Sequence, residues 1–151
     1  KKLGQLDPAQ ALTIGPPGAP TVIEFTDPDC PYCRALDRFW AAKGAEGTAV
    51  RRQIYFVSGI HPQAASKAEH ILCSKDQAGA FRATYAGEAP KPLITCKEGA
   101  ARVAVNAQAV KAMGISGTPT LILDGRIISG FQQAEIEAWL DQKRAPRKPP
   151  S

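Results

Sequence analysis

The sequence predicts an α/β domain: a mixed sheet flanked by helices, with a helical insertion between a βαβ half and a ββα half. Three observations predict it. Short β-branched or aromatic runs alternate with stretches of helical periodicity, and the last two runs are joined by Asp124-Gly125, a strong two-residue hairpin signal. The 151 residues, 44% of them hydrophobic, suffice for one core and are few for two.

Residues 1–20 read as a lead-in or linker remnant, because "GPPGAP" (Gly15 to Pro20) places prolines where regular pairing is forbidden. "TVIEF" (Thr21 to Phe25) is apolar and β-branched, bounded by Pro20 and "TDPD", and reads as a buried strand. A helix follows over 31–42. Pro31 suits its first position, and Cys33, Leu36 and Trp40 fall on one face. "RRQIYFV" (Arg51 to Val57) is a second strand. Residues 63–86 read as two helices separated around Ser74 to Gln77, inside an insertion of about 62–97. Residues 98–113 form a helix that stops at Gly114, a left-handed cap candidate. "PTLILDGRIIS" is the hairpin, and "QAEIEAWLDQK" closes the domain as an amphipathic helix. The catalytic domain is read as 21–144 and the Pro- and basic-rich 145–151 as a flexible tail. A C-x-x-C pair beside a βαβ unit makes the architecture thioredoxin-like.

The 19 Lys and Arg outnumber the 14 Asp and Glu, giving +5, but they are scattered without interleaved aromatics. That is a solvated surface rather than a nucleic-acid stripe. No apolar run reaches the roughly 18–20 residues of a membrane span, and "KKLGQLDPAQ" lacks the apolar centre of a signal peptide.

The chemistry is carried by cysteine. Cys30 and Cys33 read as one unit in "DPDCPYC", and Cys73 and Cys96 are left for each other. Two disulfides suit an oxidising compartment. At the N-cap of a helix, the Cys30 sulfur meets unpaired N–H groups and the positive end of the dipole, which favour a thiolate. The thiolate is the attacking species in disulfide exchange. Cys33 lies one turn inside, more shielded and less acidic, as the resolving thiol, with Pro31 and Tyr32 tuning the pair. A structural zinc site would need a second close ligand pair, which Cys73, Cys96, His61 and His70 do not supply by spacing. A structural Cys73–Cys96 bond is expected to contribute about 3 kcal/mol in the chain-entropy model, and a second redox pair is its alternative.

Glu24 is an acid in an apolar strand, six positions before Cys30. Such a carboxyl must be neutral or paired. It is expected either to accept the Cys33 proton through water or to face a basic partner on the outside. Thr118 and Pro119, in "SGTPT", open the hairpin. A cis bond there would turn the Thr118 backbone towards the dithiol and a bound peptide. Trp40 and Trp139 are expected in the core, Met113 near the site, and His61, His70, Lys75 and Arg82 at least partly in solvent.

"FTDPDCPYC" with "SGTPTLILDGRIISGF" resembles the catalytic domain of the bacterial periplasmic disulfide isomerases DsbC and DsbG. The C-P-Y-C tetrad with Phe39-Trp40 is closer to DsbG. The Gly-Thr-Pro hairpin and the Cys73, Cys96 pair are closer to DsbC, and the likeness runs from about Val22 to Trp139. The resemblance implies Cys30 as nucleophile, Cys33 as resolving thiol, a cis Pro119 after Thr118, and a structural Cys73–Cys96 bond. It implies a periplasmic enzyme without cofactor or metal that acts on unfolded or misoxidised proteins and is kept reduced by a DsbD-like membrane donor. A dimer is expected only where an N-terminal domain is present. Glu24 resembles instead the buried acid of the oxidase DsbA and of thioredoxin. A monomeric dithiol oxidase, a chaperone-like binder of unfolded proteins and a reductase of sulfenic acids are the alternatives.

Overall fold

The computed structural model describes residues 2–144, so the tail expected over 145–151 lies outside the described residues. Five strands and five helices follow two short 3-10 turns: β1 Leu12–Ile14, β2 Thr21–Thr26, α1 Pro31–Ala45, β3 Arg51–Phe56, α2 Ala64–Cys73, α3 Gln77–Tyr85, α4 Lys97–Met113, β4 Thr120–Leu123, β5 Arg126–Ser129 and α5 Gln133–Arg144. They form a single sheet of order β1-β3-β2-β4-β5.

The β2 and β3 strands run parallel, with Glu24 opposite Ile54 and Thr26 opposite Phe56. The connection between them is α1, as a parallel crossover requires. The β4 strand returns antiparallel against β2, pairing Phe25 with Thr120, and β5 closes that edge. Strand alternation sends Val22, Glu24 and Thr26 to one face, and Phe25 to the other. On the first face Val22, Leu121 and Leu123 pack with Leu36 and Trp40 of α1 and with Ile136 and Trp139 of α5. Beside them Ile54 and Phe56 pack with Ile71 of α2 and with Phe81 and Tyr85 of α3. On the second face Phe25, Tyr55 and Ile122 are covered by Met113 of α4.

Two local readings are realised in detail. The α4 helix ends at Gly114 with φ 69°, in the left-handed region. The Asp124-Gly125 turn has φ 50° and 80° at its two residues, the signature of a tight hairpin turn whose twist matches the strands.

The lead-in needs correction. Residues 12–14 form an edge strand antiparallel to β3, with Leu12 opposite Ile54. Ala11 and Leu12 are buried, and the Asn106 side chain of α4 bridges the Gln10 carbonyl and the Phe56 N–H. Gly15 ends the strand at φ 123°, where a Cβ would stand 2.1 Å from the Val50 carbonyl oxygen. Only glycine fits there. The first twenty residues are thus largely part of the domain, not a linker remnant.

Candidate redox site

The β2 strand ends in "TDPD", and that short turn delivers Cys30 to the N-cap of the 15-residue α1, with Pro31 at the first helical position. The Asp27 side chain shapes the turn by accepting the Asp29 N–H at 2.8 Å. Asp27 is itself fully buried, and its other oxygen lies 2.6 Å from His61 Nδ1 at the rim. His61 is therefore an anchored residue of the site's border, not simply a solvated one.

Both thiols are free. Cys30 is 8% exposed and its Sγ donates to the Thr118 carbonyl oxygen at 3.5 Å. The Thr118–Pro119 peptide is cis. Sheet order explains the juxtaposition: β2 and β4 are neighbours, so the end of β2 and the start of β4 meet at one edge. Tyr32, 67% exposed, stands beside the dithiol. Cys33 is sealed beneath, and it accepts the Asp27 backbone N–H at 3.4 Å. Burial pushes the Cys33 thiol up to about 12, against hydrogen bonds from Thr26, Asp27 and Thr118 that favour the anion. The contrast between a Cys30 that keeps a small exposed edge and a Cys33 with none is the arrangement expected of an attacking and a resolving thiol.

The floor under Cys33 is polar and organised. The Thr26 hydroxyl lies 3.0 Å from the Tyr85 hydroxyl. Burial pushes the Tyr85 phenol well above its ordinary value, so it stays protonated. Glu24, fully buried two residues before Thr26, is gripped at both oxygens by Arg52, at 2.9 and 2.8 Å. Arg52 also donates to Asp37 at 2.7 Å and lies over the Phe81 ring. The hydrogen bond to Cys33 is thus the Asp27 N–H, while Glu24 faces a basic partner on the inside rather than the outside. Neither Arg52, Asp37 nor Tyr85 is marked by motif. Arg52 was detectable only as the cation that a buried Glu24 demands from a neighbouring strand.

Cys73 and Cys96 are bonded, joining the end of α2 to the N-cap of α4. His70 does not reach solvent as expected. It is buried, and its Nδ1 accepts the Ile94 N–H at 3.0 Å, fastening the α3–α4 loop to α2. Trp40, Trp139 and Met113 are core residues, and Arg82 is half-exposed near Asp37.

Residues 8–144 match the family model of the thioredoxin-like domain. No curated protein matches the sequence. Among solved structures, the chain is similar to a disulfide interchange protein from Neisseria gonorrhoeae at 27% identity and TM-score 0.75, covering 93% of this chain and 100% of that one. A periplasmic thioredoxin-like protein from Salmonella enterica serovar Typhimurium aligns at 20% identity and TM-score 0.66, over 93% and 92%. Oxidised BdbD from Bacillus subtilis aligns at 16% and 0.70, over 91% and 94%. The two more distant likenesses concern the fold.

Proposed function

The chain belongs to the thioredoxin-like domain family, and on that premise we propose that it is an extracytoplasmic thiol–disulfide oxidoreductase whose redox pair is Cys30 and Cys33. The observation that carries the proposal is the pairing of a slightly exposed Cys30, under the Thr118 carbonyl at the head of α1, with a Cys33 fully enclosed one turn away. The similarity to a disulfide interchange protein supports it.

Cys30 lies at the positive end of the α1 dipole, where a developing thiolate is favoured. It attacks a client disulfide, forming a mixed disulfide and releasing one client thiolate. The Thr118 backbone, whose carbonyl faces the Cys30 sulfur, lies where a client strand can pair beside the bond under attack. Cys33 then gives up its proton and attacks Cys30 Sγ. The second client sulfur leaves, and Cys30–Cys33 carries the oxidation. Client and enzyme exchange two electrons, and every step runs backwards when the enzyme starts oxidised. Glu24 acts through Arg52 as a positioning residue, holding the strand beneath Cys33, while Pro31 and Tyr32 tune the pair. The Cys73–Cys96 bond is structural.

The net direction proposed is isomerase or reductase on unfolded or misoxidised periplasmic proteins, with a membrane donor of the DsbD type as reductant. The C-P-Y-C tetrad and the Cys73–Cys96 pair favour it. A dithiol oxidase is the second reading, favoured by the buried acid Glu24. The test is a paired assay in glutathione buffer, offering one client protein either scrambled or fully reduced. Recovery mainly from the scrambled form supports the isomerase. Rapid oxidation of the reduced form alone replaces it with the oxidase.

A further inference from the structure

A second feature lies beside the turn that carries Cys30. Arg34 of α1, Ser66 and Lys67 of α2, Thr84 of α3 and Lys91 of the following loop line a cavity of about 450 Å³, a size that takes a small peptide-like ligand. Its chemistry is cationic. Arg34 and Lys67 both bind the carboxylate of Asp29, the residue immediately before Cys30. Two cations thus share one anion, and Lys91 adds a third positive charge to the lining.

The second observation is independent. Thr84 is 1% exposed, lines this cavity, and its hydroxyl has no protein partner. Buried hydroxyls are rarely left so. The far wall is also fixed. The Cys73–Cys96 bond, the Ile94 N–H on His70 and the Cys96 N–H on Glu69 tie the loop to α2. The cavity is a built concavity, not a gap under a loose loop.

We propose that this cavity is a subsite for a carboxylate carried a few bonds from the sulfur of the incoming disulfide. Arg34 lies one helical turn after Cys30, its N–H donating to the Cys30 carbonyl at 3.0 Å, and residues four apart share a helix face. A disulfide whose sulfur meets Cys30 therefore places a nearby carboxylate within reach of Arg34 and Lys67. The Thr84 hydroxyl donates the bond it lacks. The carboxylate belongs either to a small acidic peptide disulfide of the glutathione kind or to an acidic residue beside a client's cysteine. The step is unchanged: Cys30 attacks one sulfur, Cys33 resolves, and the disulfide leaves as two thiols with both electrons of the dithiol.

The inference rests on the redox reading and is tested separately from it. The reduced, full-length protein is mixed with glutathione disulfide and, in parallel, with neutral bis(2-hydroxyethyl) disulfide. A second pair of arms uses two short peptide disulfides that differ only in Glu or Gln beside the cysteine. The readout is the acidic-over-neutral rate ratio. Lys67→Gln is expected to lower it about three- to tenfold, the loss of a charge-assisted bond. Thr84→Val removes a buried hydroxyl at constant shape and is expected to lower it about threefold. Asp29→Asn is expected to raise it by freeing both cations. A fall in the glutathione arm alone assigns the subsite to the small molecule, and a fall in both arms extends it to clients. Unchanged ratios in all three variants overturn the subsite, as does an equal loss of rate with acidic and neutral disulfides. Absence of reaction with either disulfide in the wild type overturns the redox reading itself, and the subsite with it.

Discussion

The Asp27 backbone N–H points at the Cys33 sulfur from 3.4 Å across the turn that joins β2 to α1. It is one of the few groups in this site that favour a Cys33 anion, and burial outweighs it, holding the thiol up near 12. Cys33 is consequently neutral at physiological pH, and resolution of a mixed disulfide must wait for its proton to leave. The resolving rate is expected to rise about tenfold per pH unit between pH ~6 and ~9, because below the thiol's value each unit of rising pH multiplies the thiolate fraction by ten. Stopped-flow release of a chromophoric thiol from a preformed Cys30 mixed disulfide measures this. A rate flat in pH over that range contradicts the assignment.

The same burial has a stability signature. The Cys33 value lies above the ordinary thiol value of 9.0, at about 12 in the folded protein. From pH 9 to 12 the unfolded chain has released this proton while the folded one retains it. The slope of stability with pH is then negative. The reduced protein is expected to lose stability through this window more steeply than Cys33→Ala, in denaturant melts compared at pH 8, 9, 10 and 11. Parallel curves for the two proteins would contradict it.

Arg52 answers two buried carboxylates, Glu24 and Asp37, at 2.8 and 2.7 Å, and the half-exposed Arg82 adds a looser contact to Asp37 at 3.6 Å. Arg52→Met leaves Glu24 without a cation in a low-dielectric interior and Asp37 with Arg82 alone, at a cost of about 3–5 kcal/mol. Glu24→Gln keeps the shape and one bonding geometry and should cost less. Urea melts of the oxidised protein test the order, and an Arg52→Met as stable as wild type would show that the network carries no stability.

The Cys73–Cys96 bond spans a separation of 23 residues and holds α2 to the start of α4. Replacing both cysteines by Ala is expected to cost about 2–5 kcal/mol while leaving exchange at Cys30 measurable. Loss of exchange in a variant that still melts cooperatively would move this pair from a structural to a redox role.

Much of this molecule is legible where the information is local. Asp124-Gly125 specifies its turn, Gly114 its helix cap, and the spacing of Cys30 and Cys33 its own chemistry. The failures are non-local. Leu12–Ile14 is a three-residue strand whose only regular partner is forty residues away in β3, and the prolines after Gly15 mask it. Glu24 announces that it needs a cation. Only the register of β2 against β3, together with the path of α1, selects Arg52 and brings in Asp37. His70 reads as a surface residue on its helix, because the loop that covers it is brought there by a disulfide. Thr118, by contrast, is marked locally by "SGTPT", and sheet order, which sets β4 against β2, brings its carbonyl to Cys30.

The most direct test of the central claim is a trapping experiment with Cys33→Ala. The variant is reduced, mixed with a chromophoric disulfide, quenched in acid and mapped by mass spectrometry. One adduct on Cys30, persistent in Cys33→Ala and transient in wild type, is the predicted result. An adduct that forms equally on Cys33 in Cys30→Ala, or a Cys30 adduct that clears without Cys33, would contradict the division into attacking and resolving thiols.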